Sequence, residues 1–431
     1  MPAYETSLKA MRWQEDWSWV PADAAPLLAA KRLHTGPADD WTVTLGGETR
    51  LRAEARDETD FGLGPDGSLA TANLRLLLHA DVNLGERVGV FAQLGTWDQR
   101  GRDVPRLFDS SDAVLQRLFV DVKLTPATTL RVGRQDLFTV ASRLLIPVDV
   151  FNAQLVHDAA TVQYRDGSVR AQAFVGERFY PDAHAFGDTD LGRARLAGAF
   201  YERGFKAMPG LDVGLYWLGE QADIGLFPRR GGPERRRTAI LRASHRGSTL
   251  RGGLEIGHQQ GERRGCGVEA WAFASEVTRT FVGAGNPALT LRVDGATGDG
   301  GGATDQSWAT LHPVMAYLGR GGDYGATNAV AVYPELSVDV APSARLALSG
   351  ELVWRANDRG AFANAGGVTV LRPRAPGSDL LLHGGTLRLR WTRHEQLDVQ
   401  GELTWLGARG ALREAGGKDR AGVTMSVNWR F

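Results

Sequence analysis

Hydrophobic and polar residues alternate along much of this chain with a period of two. In the final stretch, Val423, Met425, Val427, Trp429 and Phe431 share one face, and Thr424, Ser426, Asn428 and Arg430 share the other. Such alternation marks a strand with one apolar and one polar face. The pattern recurs upstream. Leu346, Leu348, Leu352 and Trp354 alternate with Arg345, Ser349, Glu351 and Arg355. Leu387, Leu389 and Trp391 alternate with Thr386, Arg388 and Arg390. Leu397, Val399, Leu403 and Trp405 alternate with Asp398, Gln400, Glu402 and Thr404. Val43, Leu45 and Leu51 alternate with Thr44, Glu48, Arg50, Arg52 and Glu54. Read through the whole chain, the pattern predicts eighteen strands. They lie near 41–55, 69–83, 87–99, 114–124, 128–137, 158–165, 168–177, 190–203, 210–220, 235–246, 248–260, 265–280, 286–296, 326–341, 343–356, 380–392, 397–408 and 420–431.

A soluble sandwich also alternates, so the connections discriminate. Short ones (83–86, 125–127, 166–167, 246–247, 341–343 and 393–396) alternate with long ones (56–68, 100–113, 138–157, 178–189, 221–234, 297–325, 357–379 and 409–419). Only 261–264 is short where a long one is due. Short turns on one rim and long loops on the other characterise outer-membrane barrels. The predicted fold is therefore all-β: a transmembrane antiparallel β-barrel of about eighteen strands, with short periplasmic turns and long extracellular loops. Sixteen strands is the alternative count. A barrel of ~16–18 strands is too wide for its side chains to fill and leaves an aqueous channel. The barrel is expected over 41–431. Residues 1–40 mix charge and aromatics without the period and form a separate periplasmic or plug-like segment, or else a leader to the first strand. The terminal Phe431 suits recognition by the barrel-assembly machinery.

Composition agrees with this reading. Mean hydropathy is −0.24, and no run of eighteen uncharged apolar residues exists for a transmembrane helix. A barrel needs neither feature. The twelve tryptophans and eight tyrosines suit interfacial girdles, with Trp41, Trp354, Trp391, Trp405 and Trp429 near strand ends. The amino terminus lacks a basic start and an apolar core, which reads as a mature form. Basic and acidic residues balance at 50 each, which argues against a nucleic-acid binder. Only five of the basic residues are lysine. Arginine suits carboxylates and phosphates, although a GC-rich genome also raises it. Lone Cys266 has no disulfide partner and is expected as a packed thiol. The nine histidines are scattered. No GxSxG, HExxH or paired-carboxylate motif is present, so neither an enzyme site nor a metal or other cofactor is expected. Asp299, Asp305 and Asp323 fit no defined calcium loop, and 297–325 reads as a flexible glycine tract.

Several stretches resemble the alginate-export family of bacterial outer-membrane porins. MRWQEDWSW (11–19) with TLGGETRLRAE (44–54) resembles its entry segment and first strand. RLFVDVKLTPATTLRVGRQDLF (117–138) resembles its strand–turn–strand block, with an RxGRQ motif at Arg131, Gly133, Arg134 and Gln135; Arg143 and Asn152 follow at fitting distances. LHPVMAYLGRGGDYGATN (311–328) and LVWRANDRGAF (352–362) resemble late loop and strand blocks, the first less aromatic than the family pattern. The resemblance implies a monomeric barrel in the outer membrane, among outer-membrane lipid and lipopolysaccharide. It implies passage of an anionic uronate polymer through an arginine-lined constriction.

Strand parity supplies the candidate bore. A lipid-facing arginine at the midplane costs about 2–4 kcal/mol, so charged residues are assigned inward. Arg50, Arg52, Arg75, Arg117, Arg131, Arg355, Arg388 and Arg390 follow directly, and Arg193 and Arg195 are assigned with them. Arg134 and Arg143 join the candidate lumen set through the motifs, with a local bulge needed to turn Arg134 inward beside outward Val132. Two readings of these arginines stay open: a guanidinium ladder that hands carboxylates along, or cross-strand ion pairs that stabilise a wet interior. Loop 138–157 folds into the bore or caps it. The expected function is diffusion of an alginate-like polyuronate or related acidic solute. The alternatives are a general unselective porin, or a barrel hydrolase or adhesin.

Overall fold

The computed structural model describes residues 8–9, 11–21, 26–35, 41–64, 67–102, 109–137, 142–145, 152, 154–181, 186, 193–223, 232–310, 323–393 and 396–431. Eighteen long strands form a closed antiparallel barrel. They are β1 (Trp41–Arg56), β2 (Leu69–Leu84), β3 (Val88–Arg100), β4 (Ser111–Thr125), β5 (Thr128–Gln135), β6 (Val156–Asp166), β7 (Val169–Phe179), β8 (Ala194–Phe205) and β9 (Met208–Ala222). The second half holds β10 (Glu234–Arg246), β11 (Leu250–Arg263), β12 (Cys266–Thr280), β13 (Ala288–Ala296), β14 (Ala329–Ala341), β15 (Ala344–Arg355), β16 (Leu380–Arg393), β17 (Leu397–Ala408) and β18 (Arg420–Arg430). Each pairs with its neighbours in sequence, and β1 closes on β18 from Glu48↔Arg430 to Arg56↔Gly422. Closure leaves no free sheet edge and satisfies the backbone groups within lipid.

All eighteen predicted strands are present and alternate in loop length as expected. The odd short connection is a two-residue turn at Arg264 and Gly265, both at positive φ (51° and 81°), which suits the twist of a tight hairpin. Cys266 beside it is exposed rather than packed. The outward face is a band of Leu45, Leu51, Leu74, Leu215, Leu241, Leu289, Leu348, Leu403 and similar side chains. Exposed Trp41, Trp391 and Trp429 lie towards the short-turn rim, and Trp217, Trp271 and Trp405 towards the long-loop rim. These are the two girdles of a membrane barrel.

The bore is not empty. Leu137, Leu144, Leu145 and Trp308 from two loops pack against the inner wall at Phe174, Leu196, Tyr216, Leu218 and Ile240. Ser307–Thr310 of the glycine-rich loop are thus buried, while Gly301, Gly302 and Ala303 are exposed. Asp305 pairs with Arg263 and Asp323 with Arg56 and Arg420. A second cluster joins Phe61, Tyr324, Phe362, Leu371 and Leu412 over the long-loop rim. Segment 311–322 lies outside the described residues, as does most of 138–151.

At the other end, residues of the amino-terminal segment enter the barrel. Trp13 packs edge-on to Phe91 and Phe119, whose side chains point inward (ring centroids 5.5 Å in each case). Arg12 donates to the carbonyls of Gly47 (2.9 Å) and Phe431 (3.0 Å), at the point where β1 meets β18. Leu33–Thr35 pairs with Trp41–Val43, the part of β1 that β18 does not reach.

Candidate functional site

The register fixes which arginines line the bore, because residues directly opposite on neighbouring strands share a face. On β1 the inward row is Glu48, Arg50, Arg52, Glu54. Arg50 stands opposite Arg75 of β2. Two guanidinium groups side by side repel, and the structure separates them with acceptors. Arg75, fully buried, donates to Glu48 Oε1 (2.5 Å) and to the Asn152 carbonyl (3.5 Å). Arg50 donates to Asn152 Oδ1 (3.3 Å), and Arg52 to Glu54 (3.2 Å). On β4, Arg117 grips Asp136 with two bonds (2.6 and 2.9 Å) and donates to Gln154 Oε1 (2.8 Å). On β5, Arg131 grips Asp121 with two bonds of 2.7 Å and lies over the Phe119 ring at 3.8 Å. Both guanidiniums also face Trp13, at 5.6 and 5.2 Å from its ring centre. Forked arginine–carboxylate bonds of this kind hold both partners in one orientation.

Nearer the short-turn end, Arg388 pairs with Glu335 (2.9 Å) and Arg390 with Asp398 (2.5 Å). The Arg390 side chain keeps 58% of its surface exposed, so it still faces the water of the bore. At the other end Arg355 is turned to a different task. It donates to Asp379 (2.5 Å) and to the carbonyls of Ala375 and Gly377 (2.8 Å each), which pins loop 356–379.

Arg134 is not a lumen residue. The register through Leu118↔Arg134, Val120↔Val132 and Arg134↔Asp158 runs unbroken along β5. The bulge lies on β4 instead, where Gln116 is passed over between Arg117 and Leu115. Arg134 therefore stays on the outer face with Leu118 and Val132, grips Asp158 with bonds of 2.8 and 2.9 Å, and covers the Phe179 ring at 3.3 Å. Arg195 is also outward, on a row with Ala197, Ala199 and Tyr201. The inward assignment of Arg195 rested on the cost of charge in lipid, and that of Arg134 on its motif and a supposed bulge. That cost vanishes above the apolar band.

The RxGRQ stretch acquires a physical reason. Gly133 has φ +128°, and a Cβ there would lie 2.2 Å from the Leu118 carbonyl oxygen, so only glycine fits. Gln135, fully buried, donates to the Ala159 carbonyl (2.9 Å) and accepts from Thr161 (2.9 Å).

The described residues of loop 136–155 reach both walls of the bore. Near one wall its Asn152 meets Arg50, Arg75 and Asn73. On the far wall Glu255 of β11 accepts from Ser142 Oγ (2.8 Å) and from the backbone N–H groups of Arg143 (2.8 Å) and Leu144 (3.1 Å). Arg143 then reaches Asp294 of β13 with contacts of 2.8 and 3.0 Å. Of the two open placements for this loop, its described residues take the one inside the bore. Sequence reasoning missed Glu255 and Gln259 as loop anchors. Gln259 donates to the Ala309 carbonyl (2.8 Å) and accepts its N–H (3.0 Å). A Glu and a Gln on the same inward row, either side of Gly257, were the available signal.

A closed antiparallel barrel of this width, girdled outside and charged within, defines an integral channel of the bacterial outer membrane. The family model for alginate export matches residues 41–425, and the chain belongs to that family. Comparison with curated proteins finds no match. Among solved structures, a BenF-like porin from Pseudomonas fluorescens Pf-5 superposes with a TM-score of 0.63 at 12% identity, over 90% of this chain and 98% of that one. Pseudomonas aeruginosa OccK2 (OpdF), solved in complex with glucuronate, gives 0.61 at 13% identity, over 93% and 99%. P. aeruginosa OpdK, solved with vanillate, gives 0.60 at 14% identity, over 90% and 98%. At these identities the likeness is one of fold.

Proposed function

We propose that the channel passes anionic saccharides, of the alginate-like polyuronate class or related small acids, by diffusion along the inward arginines. The observation that carries this reading is the placement of Arg50, Arg52, Arg75, Arg117, Arg131, Arg388 and Arg390 on inward rows, with Arg143 held across the bore. Each is held by an acid or an amide, so each interaction with a passing carboxylate is weak and exchangeable, as conduction requires. Family membership supports an exported polyuronate. The glucuronate and vanillate named for OccK2 and OpdK are carboxylates, which fits the same class. Residues 1–40 act as a plug that narrows the periplasmic entrance through Trp13. The protein works as a monomer and reaches the membrane through recognition of Phe431 by the assembly machinery.

A general porin is the second reading. It is favoured by the ion pairing itself, since Asp121, Asp136, Glu335 and Asp398 offset the arginines beside them. Planar-bilayer conductance in a salt gradient, with uronate oligomers added, separates the two. Anion selectivity with concentration-dependent block is expected. A large, unselective and unblocked conductance would establish the general porin.

A further inference from the structure

The outer wall around β8–β10 changes character above the lipid-facing band. Along β9 the outward row runs Leu215, Trp217, Gly219, Gln221 towards the long-loop rim. The register places Ala199 and Ala239 on either side of Trp217, Ala197 and Arg237 beside Gly219, and Arg195 and Arg235 beside Gln221. Trp217 is exposed and belongs to the girdle. With about 3.4 Å of rise per residue, Arg237 stands ~7 Å beyond the girdle and Arg195 and Arg235 ~14 Å beyond it. Gly219 and Ala197 have almost no side chain, so the three arginines surround a groove of about 540 Å³, whose lining also includes Val175, Glu177 and Trp217.

All three arginines are exposed, and no ion pair or hydrogen bond joins their side chains to another described residue. The neighbouring acids are engaged elsewhere: Asp158 with Arg134, and Glu177 with Arg193 at 3.8 Å. Glu262, opposite Arg235 in the register, makes no ion pair with it. This contrasts with the bore, where the arginines are held by acids or amides. Outward-facing unpaired guanidiniums just above an apolar wall need an anion that comes with the membrane.

We propose that Arg195, Arg235 and Arg237 form a docking site for the phosphorylated sugar headgroup of lipopolysaccharide in the outer leaflet. The acyl chains lie along Leu215, Leu241 and Trp217, and the phosphate enters the groove. Arginine forks bind phosphate with paired, charge-assisted bonds, and the apolar wall below distinguishes a lipid from a free anion. The proposal is independent of what crosses the bore.

The test is native mass spectrometry of the full-length protein in detergent, mixed with purified lipopolysaccharide or its enzymatically dephosphorylated form. The wild type should retain the phosphorylated lipid at least ten-fold better than the dephosphorylated one. The triple variant Arg195→Gln, Arg235→Gln, Arg237→Gln should lose that preference. Arg203→Gln, outward on the same strand near the opposite rim, should keep it, and bilayer conductance of the triple variant should match the wild type. Equal retention of the two lipids by the wild type overturns the proposal without recourse to any variant. Competition by millimolar inorganic phosphate also overturns it, since that marks a free-anion site.

Discussion

Arg143 shows how one side chain sets the geometry of the bore. Its backbone N–H meets Glu255, and its side chain reaches two strands along the same wall to Asp294, which also holds Arg292 at 2.9 Å. Removing it leaves Asp294 with a single arginine, at a cost of about 1.5–3 kcal/mol for a hydrogen bond to a charged group. Arg143→Ala should therefore loosen the cross-bore loop, giving higher and noisier single-channel current in bilayers. An unchanged current would mean that the loop does not constrict. Arg134 supplies the opposite case. Since its guanidinium lies outside the barrel, Arg134→Gln should leave the reversal potential in a salt gradient unchanged. Arg390→Gln, which removes a water-facing charge from the bore, should move selectivity towards cations. Lys31 gives a pH signature. Burial of its ammonium, reinforced by nearby Arg12 and opposed by Glu15, lowers its pKa to about 8. The released segment would bind that proton more tightly than the docked one does. Docking therefore strengthens as pH rises from about 8 towards the ordinary lysine value of 10.5, and below pH 8 it carries the full penalty. Protection of residues around Trp17 from proteolysis should rise across that window, and Lys31→Met should abolish the rise.

At the scale of elements, the seam between β1 and β18 makes a close steric demand. Gly47 exchanges both backbone bonds with Phe431 (2.8 and 3.0 Å). A Cβ on Gly47 would lie 2.5 Å from the Phe431 ring and 2.7 Å from the Leu77 carbonyl oxygen. Gly47→Val should impair closure, seen as loss of the heat-modifiable folded band on gels. The period-two pattern made the strands legible, since each has one face on lipid and the other on water or packed loops. Loop lengths made the two rims legible for the same reason. The pattern did not reveal the bulge at Gln116, because an extra residue in one strand leaves the alternation on either side intact. It also did not reveal that Arg355 serves loop 356–379 and not the bore. That role depends on where the carbonyls of Ala375 and Gly377 come to lie.

For the whole molecule, an eighteen-strand circumference dictates a wide bore, and the question becomes what narrows it. Three segments far apart in sequence do so: the entry segment at Trp13, the cross-bore loop at Ser142–Leu145, and the loop carrying Trp308. Deleting residues 1–40 should raise conductance while the barrel stays folded, measured in bilayers beside a gel-shift control. Unchanged conductance would place the narrowest point at the loops. By itself the sequence determined the barrel, its strand number to within two, its orientation and the residues on most of its rows, because lipid enforces alternation strand by strand and these are local properties. Only the tertiary structure decided which arginines face the bore above the lipid band, which acids hold them, and which loops enter. Those outcomes depend on register between strands and on contacts across the barrel, and neither leaves a periodic trace along the chain.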